Sequence, residues 1–179
     1  GFEIAKDLAG RGYNILLVSR NEQNLQDCCN QLSDEFDISS DYISSDLANK
    51  ESVRHIYQTT KERGYDIEIL VNNAARDDRH SLECVTSEYF DERIATNLKH
   101  QLFASQAVVS DMEKNGGGSI INMGSTSWMI GQGGMPCYTT AKSAIQGLTR
   151  GLARDLGPKN IRVNCVVPGW IMTERQVDM

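Results

Sequence analysis

Short apolar runs alternate with longer amphipathic segments along this chain, and the alternation restricts the folds open to it. Runs such as Asn14–Val18 and Ile67–Val71 are five residues long and rich in aliphatic side chains, which is typical of buried strands. Because a helical segment separates each strand from the next, consecutive strands must be parallel. The sequence therefore predicts a single α/β domain over residues 1–179, with a doubly wound parallel sheet covered by helices on both faces.

Turn and capping residues give approximate bounds to these elements. Asn21 is a candidate N-cap for a helix that runs to about Glu35, and Gly64 and Gly116–Gly118 are candidate helix terminators. The predicted strands are Asn14–Val18, Asp41–Ser45, Ile67–Val71, Ser119–Met123 and Arg162–Val167, and the predicted helices are Gly1–Arg11, Asn21–Glu35, Lys50–Arg63, Glu88–Lys114 and Tyr138–Leu156.

Composition and charge exclude several classes of protein. The 179 residues carry 18 basic and 24 acidic side chains, a net charge of −6, so there is no basic footprint for nucleic acid. No apolar run reaches the length of a membrane span, and no signal peptide precedes the first helix. The 5 cysteines have neither metal-ligand nor disulfide-framework spacing. We therefore expect a cytoplasmic protein without a metal. Cys137 is either pocket lining or a reactive thiol.

The segment from Ser125 to Lys142 carries the chemistry. Tyr138 and Lys142 are four residues apart and share one face of a helix. An ammonium group close to a phenol favours the phenolate by about 4 kcal/mol, roughly three pKa units. The pair therefore predicts a tyrosine whose pKa lies near neutrality, suited to general acid–base catalysis. With the Ser125 hydroxyl to hold an oxygen atom, this set suits the interconversion of an alcohol and a carbonyl.

The order of several motifs strengthens this interpretation, because Tyr-x-x-x-Lys alone is common. Asn72-Asn73-Ala74-Ala75 precedes Asn97, Ser119-Ile-Ile-Asn-Met-Gly-Ser125 follows, and Ile161-Arg-Val-Asn-Cys-Val-Val-Pro168-Gly169 comes last. In this order they resemble the motifs of the short-chain dehydrogenase/reductase family over essentially the whole chain. The resemblance implies a Rossmann-type fold and an NAD(P)-dependent enzyme.

The resemblance also implies catalytic roles. Tyr138 would transfer the proton to or from the substrate oxygen, and Ser125 would orient that oxygen. Lys142 would lower the pKa of the tyrosine and hold a ribose hydroxyl. Asn97 would hold a water molecule that links Lys142 to solvent, although an asparagine within a helix can simply bond locally.

Cofactor contacts follow from the same resemblance. Gly1 would be the last glycine of a phosphate-binding turn, and Arg20, after the second family strand, favours NADP(H) over NAD(H) because arginine matches a 2′-phosphate. Either residue has a plain alternative role, a helix start or a surface arginine. The other positions implied to contact the cofactor are Asp46, Leu47, Asn73, Ala74, Tyr138, Lys142, Ile171 and Thr173. Asp46 is also a candidate helix cap, and Ala75 replaces a family glycine.

The substrate is less well defined. Trp128 and Gln132, with Trp170 after the Pro-Gly turn, resemble residues of bacterial family members that oxidise sugars, although core packing also accounts for a tryptophan. A carbonyl reductase such as an NADPH-dependent 3-oxoacyl-thioester reductase is the alternative within the class. A non-catalytic dinucleotide-binding scaffold is the alternative outside it.

Two further expectations concern completeness and assembly. Family members begin with a strand and a glycine-rich turn and continue beyond the Pro-Gly turn, so we expect residues 1–179 to be an incomplete domain, inactive alone. The long helices predict a homodimer or homotetramer of the complete protein, with burial in the core as the alternative for their apolar residues.

Overall fold

The computed structural model describes residues 1–172 and confirms the α/β architecture. Within that range all strand pairs are parallel. One sheet has the order β1–β2 and the other the order β3–β4–β5. The strands are β1 (Ile15–Ser19), β2 (Ser40–Ser44), β3 (Ile69–Asn72), β4 (Gly118–Met123) and β5 (Ile161–Val166).

Every predicted helix occurs, with bounds shifted by a few residues. Asn21 caps its helix as predicted, since its side-chain oxygen accepts the Asn24 N–H at 2.9 Å. Gly64 follows its helix with φ 76°, a left-handed conformation that glycine adopts without strain. The helices are α1 (Phe2–Ala9), α2 (Glu22–Glu35), α3 (Ser52–Glu62), α4 (Ser87–Ile94), α5 (His100–Lys114) and α6 (Pro136–Leu156), with 3₁₀ turns at Leu82–Cys84 and Gly157–Lys159.

The helix predicted over Glu88–Lys114 is not continuous. A π-helical segment, Ala95–Lys99, separates α4 from α5 and contains the buried Asn97. π-Helical turns inside α-helices occur frequently at functional sites. Periodicity of apolar residues did not reveal this one, because a single wide turn changes the pattern by only one residue.

The predicted parallel sheet is present in two parts. No backbone pairing joins β1 to β3 within residues 1–172. A cavity of about 1230 Å³ lies between them, lined by both strands and by residues of α1 and α5. Each of these two strands therefore has one unpaired edge at the cavity, because among the described residues β1 pairs with β2 and β3 pairs with β4.

Two separate apolar clusters support the two sheets. The larger one packs α5 and α6 against β4 and β5, and the smaller one packs α1 and α2 beside β1. The buried members of the larger cluster are Val108, Met112, Ile120, Leu156, Ile161 and Val163, and those of the smaller are Ala5, Ala9 and Leu32. The strand β4 therefore belongs to the part of the molecule with the larger apolar cluster.

Candidate active site

A buried chain of amides fixes the strands beneath the site. The Asn72 amide donates to Asn122 Oδ1 at 2.9 Å, and the Asn122 amide donates to Thr149 Oγ1 at 3.0 Å. Asn72 and Asn122 are opposite each other in β3 and β4, and Thr149 lies on α6. Because buried polar groups must find partners, this chain fixes α6 against the sheet. The motifs that contain the two asparagines did not predict this hydrogen-bonded chain.

Ser125 and Tyr138 meet beyond the end of β4. Ser125 follows that strand by two residues, and its Oγ accepts the Ser127 N–H at 3.1 Å. Tyr138 is in the first turn of α6. A hydrogen-bonding interaction with the Ser125 hydroxyl favours a lower pKa for the Tyr138 phenol. The two hydroxyl groups are therefore neighbours beyond the end of β4.

Lys142 is buried next to them, only 2% exposed. Its Nζ donates to the main-chain oxygen of Met123 at 2.6 Å and lies 5.6 Å from the centroid of the Tyr138 ring. Burial lowers the pKa of Lys142 to about 8, while the nearby Cys165 and Asp77 act to raise it. The lysine is therefore held at the end of β4 by its own hydrogen bond.

The expected depression of the Tyr138 pKa is not what this structure shows. The pKa of Tyr138 is raised, chiefly because the phenol is buried, and the Asp77 carboxylate adds to the rise. The reason is geometric. The Lys142 ammonium is directed at the Met123 carbonyl rather than at the phenol oxygen, so desolvation outweighs its attraction. In this structure Tyr138 is a neutral phenol.

Asn97 holds the loop that follows β3. Its Oδ1 accepts the Arg76 N–H at 2.7 Å, and its Nδ2 donates to the Arg76 oxygen at 3.1 Å. The main-chain oxygen of Asn97 accepts a hydrogen bond from Gln101 at 3.2 Å. The side chain therefore makes a structural contact, and the water-holding role stays a prediction.

The large cavity gathers most of the predicted cofactor residues. It is lined by Gly1, Arg20, Asp46, Leu47, Asn73, Ala74 and Tyr138. Gly1 precedes the first residue of α1 without a side-chain cap, and a Cβ placed on it would lie 2.8 Å from Asn73 Nδ2. Uncapped N–H groups at a helix start, with room that only glycine leaves, fit the phosphates of a dinucleotide.

The surroundings of the other residues predicted to contact the cofactor are as follows. Asp46 organises the turn before α3, since its carboxylate accepts the Ala48 N–H at 3.0 Å. It does not cap α3, which begins after Glu51. Arg20 is exposed immediately after β1. Ile171 is 62% exposed, and Thr173 lies outside the described residues.

The three predicted substrate residues have different surroundings. Trp128 is half-buried in the loop after Ser125, and its Nε1 is buried without a partner in the described part of the chain. Gln132 faces Arg79, and its amide oxygen accepts from that guanidinium at 2.8 Å. Trp170 is 66% exposed. The structure thus gives Gln132 a partner within the protein and leaves Trp170 exposed, while the indole nitrogen of Trp128 is buried.

The segment after the Asn-Asn-Ala-Ala motif was missed. Asp77 lines the same cavity as Tyr138, and its charge raises the pKa of both Tyr138 and Lys142. His80 hydrogen bonds to the start of α6. The sequence signal for this segment was the charged run Arg76–Arg79 directly after the motif. The charge pattern alone predicts a solvated loop there.

His100, on the first turn of α5, was also missed. It lines the cavity and is 4% exposed. Its Nδ1 lies 3.4 Å from the Ala95 oxygen, and its Nε2 has no partner in the described residues. Burial, and then the Lys142 charge, lower the pKa of His100 to about 4. The ring is therefore neutral at ordinary pH.

Comparison with known proteins identifies the family. The short-chain dehydrogenase family model matches residues 1–179, so this chain belongs to the short-chain dehydrogenase/reductase family. It is 52% identical over 135 residues to a D-xylose 1-dehydrogenase of Caulobacter vibrioides, covering 75% of this chain and 53% of that protein. It is 40% identical over 176 residues to a probable galactose dehydrogenase of Rhizobium meliloti, covering 98% and 69%.

A solved structure supports the same assignment. The L-sorbose reductase of Gluconobacter frateurii, complexed with NADPH and L-sorbose, superposes with a TM-score of 0.94 at 27% identity, covering 98% of this chain and 66% of that one. The matched part is little more than half of the xylose dehydrogenase.

No helix in the described part of the chain is long and apolar enough to cross a membrane. The same residues contain no cluster of metal-ligating side chains. All five cysteines are unpaired, and Cys137 is buried.

Proposed function

We propose that the protein is an NAD(P)-dependent oxidoreductase that interconverts an alcohol and a carbonyl by hydride transfer. The observation that carries this proposal is the meeting of Ser125, Tyr138 and Lys142 at the carboxyl end of β4, beside a cavity that also reaches Gly1. Ligands bind at the carboxyl ends of the strands in open α/β sheets. The cavity and the acid–base pair therefore lie where such a reaction is expected.

The neutral Tyr138 phenol is suited to proton donation. During reduction it gives its proton to the carbonyl oxygen, which Ser125 orients by donating a second hydrogen bond. During oxidation the phenolate takes the proton from the alcohol. The bound nicotinamide supplies or accepts the hydride. Burial raises the Tyr138 pKa and favours the protonated phenol, which is the form that donates the proton during reduction.

We propose that Lys142 restores the proton of Tyr138. Its pKa of about 8 lets it gain and lose a proton near neutral pH, as a relay requires. In the bound state it would hold a ribose hydroxyl of the cofactor. We propose that a water molecule near Asn97 completes the path to solvent.

NADP(H) is the favoured coenzyme and NAD(H) the alternative. Arg20 follows β1 at the cavity rim, where a guanidinium can pair with a 2′-phosphate in a charge-assisted, bidentate manner. Gly1 and Asn73 would border the pyrophosphate and ribose, and Asp46 and Leu47 the adenine. Ala74, Ile171 and Thr173 would lie by the nicotinamide.

A sugar is the favoured substrate class. Two relatives are named for xylose and galactose and the solved neighbour for L-sorbose. The half-buried Trp128 offers a sugar ring a flat apolar face. Trp170 would add a second face and Gln132 an amide. An NADPH-dependent carbonyl or 3-oxoacyl-thioester reductase is the second candidate, because the same acid–base set would protonate a ketone oxygen.

The test is coenzyme turnover by the full-length protein with sugars, simple alcohols, ketones and 3-oxoacyl thioesters. Hydride transfer to or from sugars confirms the first proposal, and activity limited to ketones or thioesters selects the second. Coenzyme binding without turnover of any of them would identify a non-catalytic scaffold.

Assembly and location are proposed separately from the reaction. Leu102 and Phe103 on α5 are each 42% exposed, and apolar side chains on one helix suit an interface between copies. We propose a cytoplasmic homodimer or homotetramer. Size-exclusion chromatography with light scattering of the full-length protein distinguishes these from a monomer.

A further inference from the structure

The N-terminus of α6, which presents Tyr138, is capped from another segment. The helix begins at Pro136, and its own N-cap residue, Met135, offers no side-chain cap. The free N–H of Cys137 donates instead to Nε2 of His80 at 3.3 Å. Helix starts leave such N–H groups without intrahelical partners. The residue directly before the catalytic tyrosine is thus held by a histidine outside its own helix.

The other ring nitrogen of His80 fixes its tautomer. Nδ1 lies 2.9 Å from the main-chain oxygen of Asp78, which can only accept, so Nδ1 carries the proton. Tyr89 Oη lies 3.1 Å from Nδ1 and accepts a share of the same hydrogen bond. Nε2 therefore presents a lone pair to the Cys137 N–H, as the capping contact requires.

The backbone around His80 is tied to the loop that precedes α6. The His80 N–H donates to the Gly134 oxygen at 2.9 Å, and the Arg79 guanidinium donates to the Gly133 oxygen at 3.2 Å. Below the ring, Tyr89 contacts His80 edge-on with centroids 5.0 Å apart. The imidazole is thus held by the Asp78 oxygen, the Cys137 N–H and the Tyr89 ring.

We propose that neutral His80 is a positioning residue for Tyr138, because it supplies the hydrogen-bond acceptor that fixes the first turn of α6. This inference rests on the proposed function. An imidazolium would set an N–H against the Cys137 N–H and a positive charge at a helix N-terminus, which the helix dipole disfavours. Only the uncharged ring performs this role.

The groups facing His80 hold no net negative charge against it. The carboxylate of Asp78 pairs with Arg76 at 2.7 Å and with Arg93 at 3.1 Å. Arg93 also lies 4.5 Å from the centroid of the Tyr89 ring. The Tyr89 phenol is hydrogen bonded to His80 Nδ1, and the neighbouring Arg79 guanidinium donates to the Gly133 oxygen.

Three variants of the full-length protein test the proposal. His80→Phe keeps a ring of similar size and removes the acceptor, whereas His80→Gln carries an amide oxygen that can reach the Cys137 N–H. Tyr89→Phe is the matched control, because it leaves the Asp78 oxygen to hold Nδ1. We expect kcat to fall about tenfold in His80→Phe, since small misplacements of a catalytic group are costly. It should stay within about twofold of wild type in the other two, and the coenzyme Kd should not change.

Equal losses in His80→Phe and His80→Gln, or no loss in either, would overturn the proposal. If His80→Phe does not fold, His80→Asn replaces it, because its shorter side chain reaches only the Nδ1 position. Hydrogen exchange of the Cys137 amide gives a reading that needs no turnover. Protection should be lost in His80→Phe and kept in His80→Gln. A failure of the proposed function would remove turnover from wild type and leave this exchange pattern intact.

Discussion

The two sheets of this molecule differ in the size of the apolar cluster that packs against each of them. The catalytic half, β3–β5 with α4–α6, has a continuous core and a buried amide chain from Asn72 to Thr149. The cofactor half, α1, β1, α2 and β2, has a smaller apolar cluster, in which Ala5, Ala9 and Leu32 are buried. Polar contacts near its strands lie mostly at the surface, such as Asn14 Oδ1 accepting the Ser39 N–H.

The contrast between the two halves separates the proposed catalysis from the proposed binding of the coenzyme. The geometry of Ser125, Tyr138 and Lys142 is set within the catalytic half alone, because β4 and α6 both belong to it. The cofactor cavity needs both halves, since Arg20 comes from one and Asn73 from the other. Catalysis and coenzyme selection should therefore respond to different substitutions.

The largest expected effect is on turnover. Tyr138→Phe removes the proton donor and keeps the ring, so we expect kcat to fall by about 10²–10⁴-fold, the usual contribution of general acid–base catalysis. Coenzyme affinity should hardly change. Steady-state kinetics and coenzyme titration of the full-length protein measure both. The matched control is Tyr42→Phe in the cofactor half, whose hydroxyl faces Glu22 at 3.5 Å, and it should leave kcat unchanged. Near-normal turnover in Tyr138→Phe would contradict the mechanism.

Most of the catalytic half could be predicted from the sequence, because its elements have strong local signals. The glycines before β4 and the ordered motifs predicted β4, which Ser125 follows, and α6, which carries Tyr138. What could not be predicted depends on contacts between distant segments. The cap that His80 gives α6, the pairing of Asn97 with Arg76 and the direction of the Lys142 amine all require the fold. The Tyr138 pKa was misjudged for the same reason, since spacing gives a distance along a helix and not the burial of a phenol.

The second effect is on stability at alkaline pH. Burial gives Lys142 a pKa of about 8 in the folded protein, below the usual value of about 10.4 in the unfolded chain. Between these values the unfolded state binds more protons, so the Lys142 contribution makes stability rise with pH. It amounts to about 3 kcal/mol over the whole interval.

Denaturant unfolding of coenzyme-free wild type and Lys142→Met from pH 7 to 10 isolates this contribution. The free energy of unfolding of wild type should gain on that of the variant as pH rises. A difference that stays constant over this range would show that Lys142 is not desolvated as the structure indicates.

The third effect tests the cofactor half. A charge-assisted hydrogen bond from Arg20 to a 2′-phosphate contributes about 1.5–3 kcal/mol, so Arg20→Ala should weaken NADP(H) binding by roughly ten- to a hundredfold. Binding of NAD(H) should change much less. Calorimetric titration with both coenzymes gives the ratio, and Arg11→Ala, which removes an exposed partner of Asp7, is the control. Equal weakening of both coenzymes would remove the argument for NADP(H).

The smallest effect compares helix caps in the two halves. Asn21 caps α2 and Thr86 caps α4, each by accepting one N–H, at 2.9 Å and 3.2 Å. Replacing either by Ala should cost about 1 kcal/mol. Because the cofactor half has the smaller core, we expect it to open separately, as weakly packed units do. Asn21→Ala should then speed amide exchange in β1 and β2 and leave β4 protected, with kcat unchanged. Thr86→Ala should lower the global free energy of unfolding instead. If Asn21→Ala speeds exchange equally in β1 and β4, the halves unfold as one unit, and the difference between their cores has no consequence for stability.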